Sequence, residues 1–206
     1  MDLSRQHDPI RADLLKATEA ILKTNQYILG PAVERFEQNF ASQMKSQFAI
    51  GVNSGTDALL MTLHALGIQP GEEVICPAFT FIATADLIAR LGATVVFVDI
   101  NEDFTMDVEA VKASITERTR AVIAVHLYGR AAQVDELAKV CDEAGIHLIE
   151  DCAQSTGAEI NGKACGTFGI AGCFSFYPTK NLGGFGDGGM VITDNEELAA
   201  RLRIFR

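Results

Sequence analysis

The segment Cys173-Phe-Ser-Phe-Tyr-Pro-Thr-Lys180-Asn-Leu-Gly-Gly-Phe-Gly-Asp-Gly-Gly189 places one lysine between an apolar run and a glycine-rich loop. The run from Ala171 to Tyr177 consists of small and aromatic residues, which predicts a buried strand whose end carries Lys180 toward the interior. Burial there would favour the neutral, nucleophilic form of the amine. The segment therefore predicts a lysine that can form a Schiff base, and not a solvated surface lysine.

Short apolar segments alternate with amphipathic helical segments along the whole chain. This alternation predicts an α/β fold of three layers, α/β/α, with a mostly parallel seven-stranded sheet. The predicted strands are Phe48–Val52, Glu73–Cys76, Thr94–Val98, Ala121–Val125, His147–Glu150, Gly172–Phe176 and Met190–Thr193. The predicted helices are Asp8–Lys23, Pro31–Gln43, Thr56–Leu66, Phe81–Leu91, Asp107–Ala113, Val134–Glu143 and a last helix from Asn195 onward. Pro31 suits a first helical turn, and three glycines suit left-handed helix caps, namely Gly67, Gly92 and Gly145.

Length and charge limit the classes of partner. The 206 residues, 48% of them apolar, are enough for one large domain or for one domain and part of another. A formal net charge of -10 argues against DNA, RNA and anionic membranes as partners, because these need clustered Lys and Arg side chains. A small phosphorylated ligand stays open, since backbone N–H groups at a helix start bind phosphate without side-chain charge.

The apolar runs and the cysteines indicate the compartment. No apolar run approaches the ~20 residues that span a bilayer, and Asp2, Arg5 and Asp8 interrupt any apolar core of a signal peptide. A cytoplasmic location is expected. The five cysteines form no C-x-x-C pair, which predicts reduced, structural thiols and neither a metal site nor disulfides. They are Cys76, Cys141, Cys152, Cys165 and Cys173.

The segment Asn53-Ser-Gly-Thr-Asp57 lies between a predicted strand and a predicted helix. Its N–H groups and hydroxyls then point outward from a helix N-terminus, which is typical of an anion site. The alternative is that Ser54 only caps the helix, and for this segment taken alone the cap is the better explanation. Convergence of other ligand-binding residues on the segment would favour the anion site.

The segment Glu150-Asp-Cys-Ala-Gln154 follows an apolar stretch, so one carboxylate is expected at the C-terminal edge of a buried strand, where α/β folds bind ligands. A helix cap or an exposed pair of acids is an equally open alternative. A buried Asp151 without a partner would cost several kcal/mol or become protonated, so burial predicts a cation beside it. A protonated pyridine nitrogen is such a cation.

Aromatic residues and glycines complete the pattern. Pro77-Ala-Phe-Thr-Phe81 brings an aromatic ring to the same strand-end edge, with ordinary core packing as the alternative. Ser175 adds a hydroxyl near the lysine. The run from Gly184 to Gly189 formally matches G-x-G-x-x-G, but it leads into the predicted strand Met190–Thr193 and not into a helix. That context argues against a dinucleotide site.

Together these segments provide the groups that pyridoxal phosphate requires. A helix N-terminus suits the phosphate, an aromatic side chain suits the ring, an aspartate keeps the ring nitrogen protonated, and a lysine carries the aldehyde as an imine. Coincidence is a poor explanation of all four. The sequence therefore predicts pyridoxal phosphate as the cofactor, with Asp151 and Lys180 as its chemical partners.

From about Gly30 to its end, the chain resembles the DegT/StrS-type family of sugar aminotransferases, which are fold type I pyridoxal phosphate enzymes. The resemblance lies in the order and spacing of five segments. They are Asn53-Ser-Gly-Thr-Asp-Ala-Leu59, Pro77-Ala-Phe-Thr-Phe81, Val125-His-Leu-Tyr-Gly129, Glu150-Asp-Cys-Ala-Gln154 and Phe174-Ser-Phe-Tyr-Pro-Thr-Lys-Asn-Leu-Gly183.

The resemblance implies a role for individual residues. Lys180 would be the catalytic residue that carries the cofactor's aldehyde, and Asp151 would pair with its pyridine nitrogen. Phe81 would stack on the ring, and Gln154 would lie over the opposite side of the ring or near its O3′ atom. The phosphate would be held by three residues, Gly55, Thr56 and Ser175.

The resemblance also implies a reaction and its partners. Related sugar dehydratases have histidine in place of the lysine, so Lys180 favours amino transfer by two half-reactions with ping-pong kinetics. Glutamate would supply the amino group, and a keto group of a nucleotide-linked hexose would receive it. Val125-His-Leu-Tyr-Gly129 looks most like members that act on 3-keto sugars. A homodimer is expected, because in the family the second subunit completes each site.

Domain boundaries follow from the same resemblance. Residues 1–30 are expected to form an N-terminal helical segment, and residues 31–206 the pyridoxal phosphate-binding large domain. The last helical pattern stops at Arg206, so the smaller C-terminal domain of the family is expected to be absent and turnover by this chain alone to be weak. The alternatives are a catalytically silent pyridoxal phosphate-binding or dimerisation module and, on fold class alone, an NAD-dependent oxidoreductase.

Overall fold

The computed structural model describes residues 2–206 and contains nine strands in that range. The strands of the main sheet are β1 Phe48–Val52, β2 Glu73–Pro77, β3 Thr94–Val98, β4 Thr119–Val125, β5 His147–Asp151, β8 Ala171–Ser175 and β9 Gly189–Thr193. A separate hairpin consists of β6 Glu159–Ile160 and β7 Lys163–Ala164. All seven predicted strands are confirmed, with bounds that differ by at most two residues at either end.

The main sheet has the order β1-β9-β8-β5-β4-β2-β3. β9 runs antiparallel to both of its neighbours, β1 and β8, and the other four neighbouring pairs are parallel. Six strands therefore point the same way, and their carboxyl ends meet at one edge of the sheet. The predicted α/β fold with a mostly parallel seven-stranded sheet is confirmed.

The described residues contain eight α-helices, six of which pack around the sheet. They are α1 Ser4–His7, α2 Arg11–Thr24, α3 Pro31–Met44, α4 Gly55–Ala65, α5 Ala83–Arg90, α6 Val108–Ser114, α7 Val134–Ala144 and α8 Glu196–Phe205. Pro31 lies in the first turn of α3, as predicted. The three predicted cap glycines, Gly67, Gly92 and Gly145, all have the left-handed backbone conformation that helix ends favour.

Successive side chains of a strand point to opposite faces of the sheet, so both faces present apolar side chains. Helices cover both faces. On one face the buried core includes residues of α4, α5 and α8, such as Leu63, Ile88 and Leu202. On the other face α6 and α7 contribute to a second core cluster, and α3 contributes Phe40 to a third. The three predicted layers follow from this arrangement.

Two predictions of local structure were wrong at their edges. Residues 4–24 form α1, a 3₁₀ turn over Asp8–Ile10 and α2, and not one helix from residue 8, because Pro9 provides no N–H for a continuous helix. α5 begins at Ala83, two residues after the predicted start at Phe81. The hairpin β6–β7 was missed, although its turn is an Asn161-Gly162 pair with two positive φ angles, a common hairpin signal.

Two properties of the helices bear on partners. α2 buries none of its residues. Among residues 2–206, no helix is both long enough and apolar enough to cross a lipid bilayer.

Candidate active site

A cavity of about 540 Å³ lies at the edge where the carboxyl ends of the parallel strands meet. Its lining comes from segments that follow β1, β2, β5 and β8, which are far apart in the sequence. All seven residues predicted for the site line this cavity: Gly55, Thr56, Phe81, Asp151, Gln154, Ser175 and Lys180. The convergence predicted for these segments is therefore present in the structure.

Asp151 is the last residue of β5 and is buried, with 7% of its surface exposed. Its Oδ1 accepts a hydrogen bond from the N–H of Ala153 at 3.1 Å, and its Oδ2 accepts one from the hydroxyl of Thr84 at 3.2 Å. Burial raises the pKa of the Asp151 carboxyl, while these two donors and the nearby charge of Lys180 oppose the rise. The alternative of an exposed pair of acids is wrong, because Asp151 and Glu150 are both buried. Lys180 lines the same cavity, but no ion pair between it and Asp151 occurs within 4.0 Å among the described residues.

Lys180 lies on the cavity wall but is only half-buried, which differs from the predicted interior position. The reason is that β8 ends at Ser175, and a turn follows in which the N–H of Lys180 donates to the carbonyl of Tyr177 at 2.8 Å. The lysine therefore sits on a turn beyond the strand, facing an open cavity. It is not a surface lysine, because its side chain shares that cavity with Asp151.

The N-terminus of α4 forms one end of the cavity. Ser54 caps this helix, since its Oγ accepts from the N–H of Asp57 at 3.0 Å, so the cap explanation for Ser54 is correct. A side chain on Gly55 would place its Cβ 2.6 Å from the Cβ of Ser175, which shows how closely the helix approaches the end of β8. Free N–H groups of a first helical turn and the Ser175 hydroxyl thus lie side by side, an arrangement that suits an anion.

Two further predicted residues form the rim. Phe81 is 64% exposed, so the core-packing alternative is wrong for this ring. The side-chain oxygen of Gln154 accepts from the N–H of Tyr128 at 2.8 Å. Tyr128 has a φ of 56°, a left-handed conformation that a non-glycine residue rarely adopts outside functional or tightly determined sites. This bond fixes the position of the Gln154 side chain on the cavity wall.

Sequence reasoning missed several residues that belong to the site. Thr84 is one of them, because its hydroxyl reaches Asp151 across 67 positions of sequence. Four more line the cavity: Thr80, Tyr177, Thr179 and Asp187. The sequence offers one indication of these four residues: each carries a hydroxyl or an acid and lies in a segment already quoted, as Asp187 does in the glycine-rich loop. That loop leads into β9, which agrees with the rejection of a dinucleotide fingerprint.

A second carboxylate, Glu150, lies on the opposite face of β5 and is fully buried. Its oxygens accept four hydrogen bonds, from the ring of His126 at 3.0 Å and from three backbone N–H groups at 2.6 to 2.8 Å. These N–H groups belong to Gly166, Phe168 and Gly169. Glu150 therefore joins the ends of β4 and β5 to the loop that enters β8.

His126 is neutral in this arrangement. Its Nδ1 accepts a hydrogen bond from the N–H of Ala132 at 3.0 Å, so the single ring proton lies on Nε2 and is donated to Glu150. The ligand atoms of His126, Glu150 and Cys152 lie within 4.8 Å of one another, as they would in a metal site. Hydrogen bonds already occupy both ring nitrogens and both carboxylate oxygens, so the cluster is explained without an ion.

All five cysteines are buried and free. Burial raises the pKa of the thiols of Cys76, Cys141 and Cys152 to about 12, so they stay protonated at neutral pH. A protonated buried thiol reacts slowly with oxidants and electrophiles. The buried, unpaired positions of all five agree with a structural role, and their redox state stays a prediction.

Comparisons with known proteins agree with this geometry. Residues 8–206 match the model of the DegT/DnrJ/EryC1/StrS aminotransferase family. A UDP-N-acetyl-3-dehydro-alpha-D-glucosamine 3-aminotransferase of Acidithiobacillus ferrooxidans is 46% identical over 207 residues, covering 100% of this chain and 56% of that protein. A dTDP-3-amino-3,4,6-trideoxy-alpha-D-glucose transaminase of Streptomyces venezuelae is 46% identical, covering 100% of this chain and 55% of that protein.

Solved structures share the fold. The crystal structure of Streptomyces venezuelae DesV in complex with a ketimine intermediate has a TM-score of 0.96 and 46% identity, covering 100% of this chain and 56% of that one. The chain thus spans little more than half the length of the relatives it matches. It belongs to the DegT/DnrJ/EryC1/StrS aminotransferase family.

Proposed function

We propose that this chain binds pyridoxal 5′-phosphate through Lys180 and that its protein is an aminotransferase acting on a nucleotide-linked sugar. The observation that carries the proposal is the shared cavity, in which a buried carboxylate, an amine, a helix N-terminus and an exposed aromatic ring come together from distant segments. These are the groups that this cofactor needs, so the residues present fit it. Pyridoxal phosphate, when bound, supplies an aldehyde that accepts amines and a ring that accepts an electron pair.

Each lining residue has a role in the proposal. Asp151 would pair with a protonated ring nitrogen, which would satisfy its buried charge. Phe81 would pack on the face of the ring, and Gln154, held by Tyr128, would lie over the opposite side of the ring or near its O3′ atom. Lys180 would hold the cofactor through its Nζ atom, and the same amine could accept and donate a proton. Three residues, Gly55, Thr56 and Ser175, would hold the phosphate.

The substrates follow from chemistry that the relatives' names share. Both transaminases described above are named for nitrogen at carbon 3 of a nucleotide-linked sugar. The segment Val125–Gly129 points the same way. We therefore propose a 3-keto hexose on a nucleotide as the acceptor. Glutamate is proposed as the donor because the resemblance to the family implies it.

The proposal extends to domains and assembly. Residues 31–206 are the cofactor-binding large domain, and residues 1–30 are a helical segment outside it. A homodimer is proposed because α2 buries no residue, and its Leu15 and Leu22 are 65% and 57% exposed. The cytoplasmic location stays a prediction.

Reductive trapping tests the cofactor. The chain is incubated with pyridoxal phosphate, reduced with borohydride and digested, and the modified residue is mapped by mass spectrometry. The cofactor's mass is expected on Lys180, with no such label in Lys180→Ala and with an unchanged label in the control variant Lys163→Ala. Equal labelling of many lysines, without saturation, would overturn the proposal.

Amino transfer is tested on the same loaded protein. Glutamate is expected to change the absorption of the bound cofactor, and a 3-keto nucleotide hexose is expected to restore it. Restoration by the 4-keto isomer alone would overturn the assigned ring carbon. Labelling at Lys180 without any effect of glutamate would favour the silent binding module.

A further inference from the structure

We infer that Thr84 is a positioning residue for Asp151, whose hydroxyl orients the carboxylate toward a protonated ring nitrogen of the ligand in the cavity. The inference rests on the proposed function, because it concerns how this chain holds the proposed cofactor. Thr84 touches neither the reacting atoms nor the cavity surface, and it acts only through Asp151.

The geometry assigns a direction to the hydrogen bonds. Thr84 is the second residue of α5 and is 1% exposed, and its hydroxyl lies 3.2 Å from Asp151 Oδ2 and 3.3 Å from the hydroxyl of Thr80. An ionised carboxylate only accepts hydrogen bonds, so the Thr84 proton points to Asp151. The Thr84 oxygen is then free to accept the proton of the Thr80 hydroxyl. Thr80 lines the cavity, so a chain of two hydroxyls runs from the cavity to the carboxylate.

The position of Thr84 in its helix argues for this role. Its neighbours Ala83, Ala85, Leu87 and Ile88 are buried and apolar, and an apolar residue would fill the same space. The hydroxyl instead bonds to a residue of β5, on a different element. Together with the Ala153 N–H on the other oxygen, it gives each carboxylate oxygen of this cavity-lining residue one fixed donor.

Loss of the Thr84 hydroxyl is expected to weaken binding only of a ligand that presents a positively charged N–H group to Asp151. Hydrogen bonds to an ionised carboxylate favour the ionised form against the effect of burial. Without the Thr84 hydroxyl, the carboxylate is less well oriented and carries charge at a higher cost. Pairing with a ring nitrogen weakens, while contacts with the phosphate and the ring faces do not change.

The test uses Thr84→Val, which replaces the hydroxyl by a methyl group, and Thr84→Ser, which keeps the hydroxyl. The matched control is Thr105→Val, because Thr105 is equally buried and donates to Asp103 at 2.6 Å, outside the cavity lining. Two probes are titrated, pyridoxal phosphate and its analogue with carbon in place of the ring nitrogen. Melting temperatures without ligand show that each variant is folded.

The expected result is a Kd for pyridoxal phosphate about ten- to a hundredfold higher in Thr84→Val, with affinity restored in Thr84→Ser and unchanged in Thr105→Val. For the analogue without the nitrogen, Thr84→Val and the unaltered chain are expected to bind equally. Equal loss for both probes, or no loss for either, would overturn the role of Thr84. Failure of the unaltered chain to bind pyridoxal phosphate would instead overturn the proposed function.

Discussion

Glu150 and Asp151 are neighbours at the end of β5, yet their side chains lie on opposite faces of the sheet and differ in what surrounds them. Glu150 is 0% exposed and accepts four hydrogen bonds, three of them from one loop. Asp151 is 7% exposed, accepts two, and borders the cavity that Lys180 also lines. Burial alone therefore does not separate the two acids.

The difference shows how one strand end serves both the fold and the site. A carboxylate whose oxygens are fully occupied by protein donors has no capacity left for a ligand, and its charge stabilises the segments that bond to it. A carboxylate with unused lone pairs in a cavity is costly until a ligand supplies a positive partner. We expect opposite effects when each acid is converted to its amide.

The largest expected effect is that of Glu150→Gln. In glutamine an NH2 group replaces one of the two acceptor oxygens, so the buried N–H groups that donate to that oxygen lose their acceptor. The free energy of unfolding is expected to fall by about 3–5 kcal/mol, the usual loss on breaking a buried charged network. Urea unfolding monitored by circular dichroism measures it. A loss below about 1 kcal/mol would show that this acid does not hold the strand ends together.

In the chain without ligand, Asp151→Asn is expected to raise the free energy of unfolding, which is the opposite of the effect of Glu150→Gln. Burial raises the pKa of Asp151 above 3.8, so the folded chain holds this proton more tightly than the unfolded chain. Stability is therefore lost as the pH rises through the folded-state pKa, and asparagine removes that loss. At neutral pH the variant is expected to be about 1–3 kcal/mol more stable.

The stability difference between Asp151→Asn and the unaltered chain is also expected to depend on pH. The advantage of Asp151→Asn should shrink as the pH falls through the folded-state pKa and should be lost below 3.8, where the aspartate becomes protonated in the unfolded chain as well. Unfolding curves at several pH values measure the change. An advantage that stays constant with pH would mean that the cavity does not destabilise the charge of Asp151.

A smaller effect is expected from the rim of the cavity. Phe81 and Phe79 are 64% and 45% exposed, but only Phe81 lines the cavity. Phe81→Ala is expected to weaken pyridoxal phosphate binding about three- to tenfold, the worth of one aromatic contact, without a change in folding stability. Phe79→Ala is the control, and an equal loss in both variants would remove the assigned stacking role from Phe81.

The smallest effect is expected from Glu109→Gln, which is the control for the acid-to-amide substitution. Glu109 lies on α6, is exposed and forms an ion pair with Lys112 at 2.6 Å. Glu109→Gln is expected to change the free energy of unfolding by less than about 1 kcal/mol, because exposed ion pairs contribute little. A larger change measured in the same urea experiment would make the amide substitution a poor probe of Glu150 and Asp151.

The fold and the main ligand groups were predictable because their signals are local. Apolar runs of about five residues between helical patterns predicted the seven strands, and strand ends predicted the edge where ligands bind. Asp151 and Lys180 were found because each lies at or within five residues of the end of such a run. Gly55 was found with its helix start, but its contact with Ser175 follows only from the packing of α4 on β8.

The missed features depend on contacts between distant segments. Thr84 reaches Asp151 over 67 positions, and His126 reaches Glu150 over 24. No local pattern predicts which buried hydroxyl or ring faces which acid. Strand alternation does predict that Glu150 and Asp151 lie on opposite faces, and that signal was available in the sequence.

The shift in melting temperature that pyridoxal phosphate produces in the unaltered chain and in Asp151→Asn tests directly whether Asp151 serves a ligand. We expect Asp151→Asn to melt higher than the unaltered chain without the cofactor and to gain far less when the cofactor is added. If the variant melts at a lower temperature without cofactor, or if cofactor raises its melting temperature as much as that of the unaltered chain, then Asp151 is not the acid whose charge a ligand stabilises.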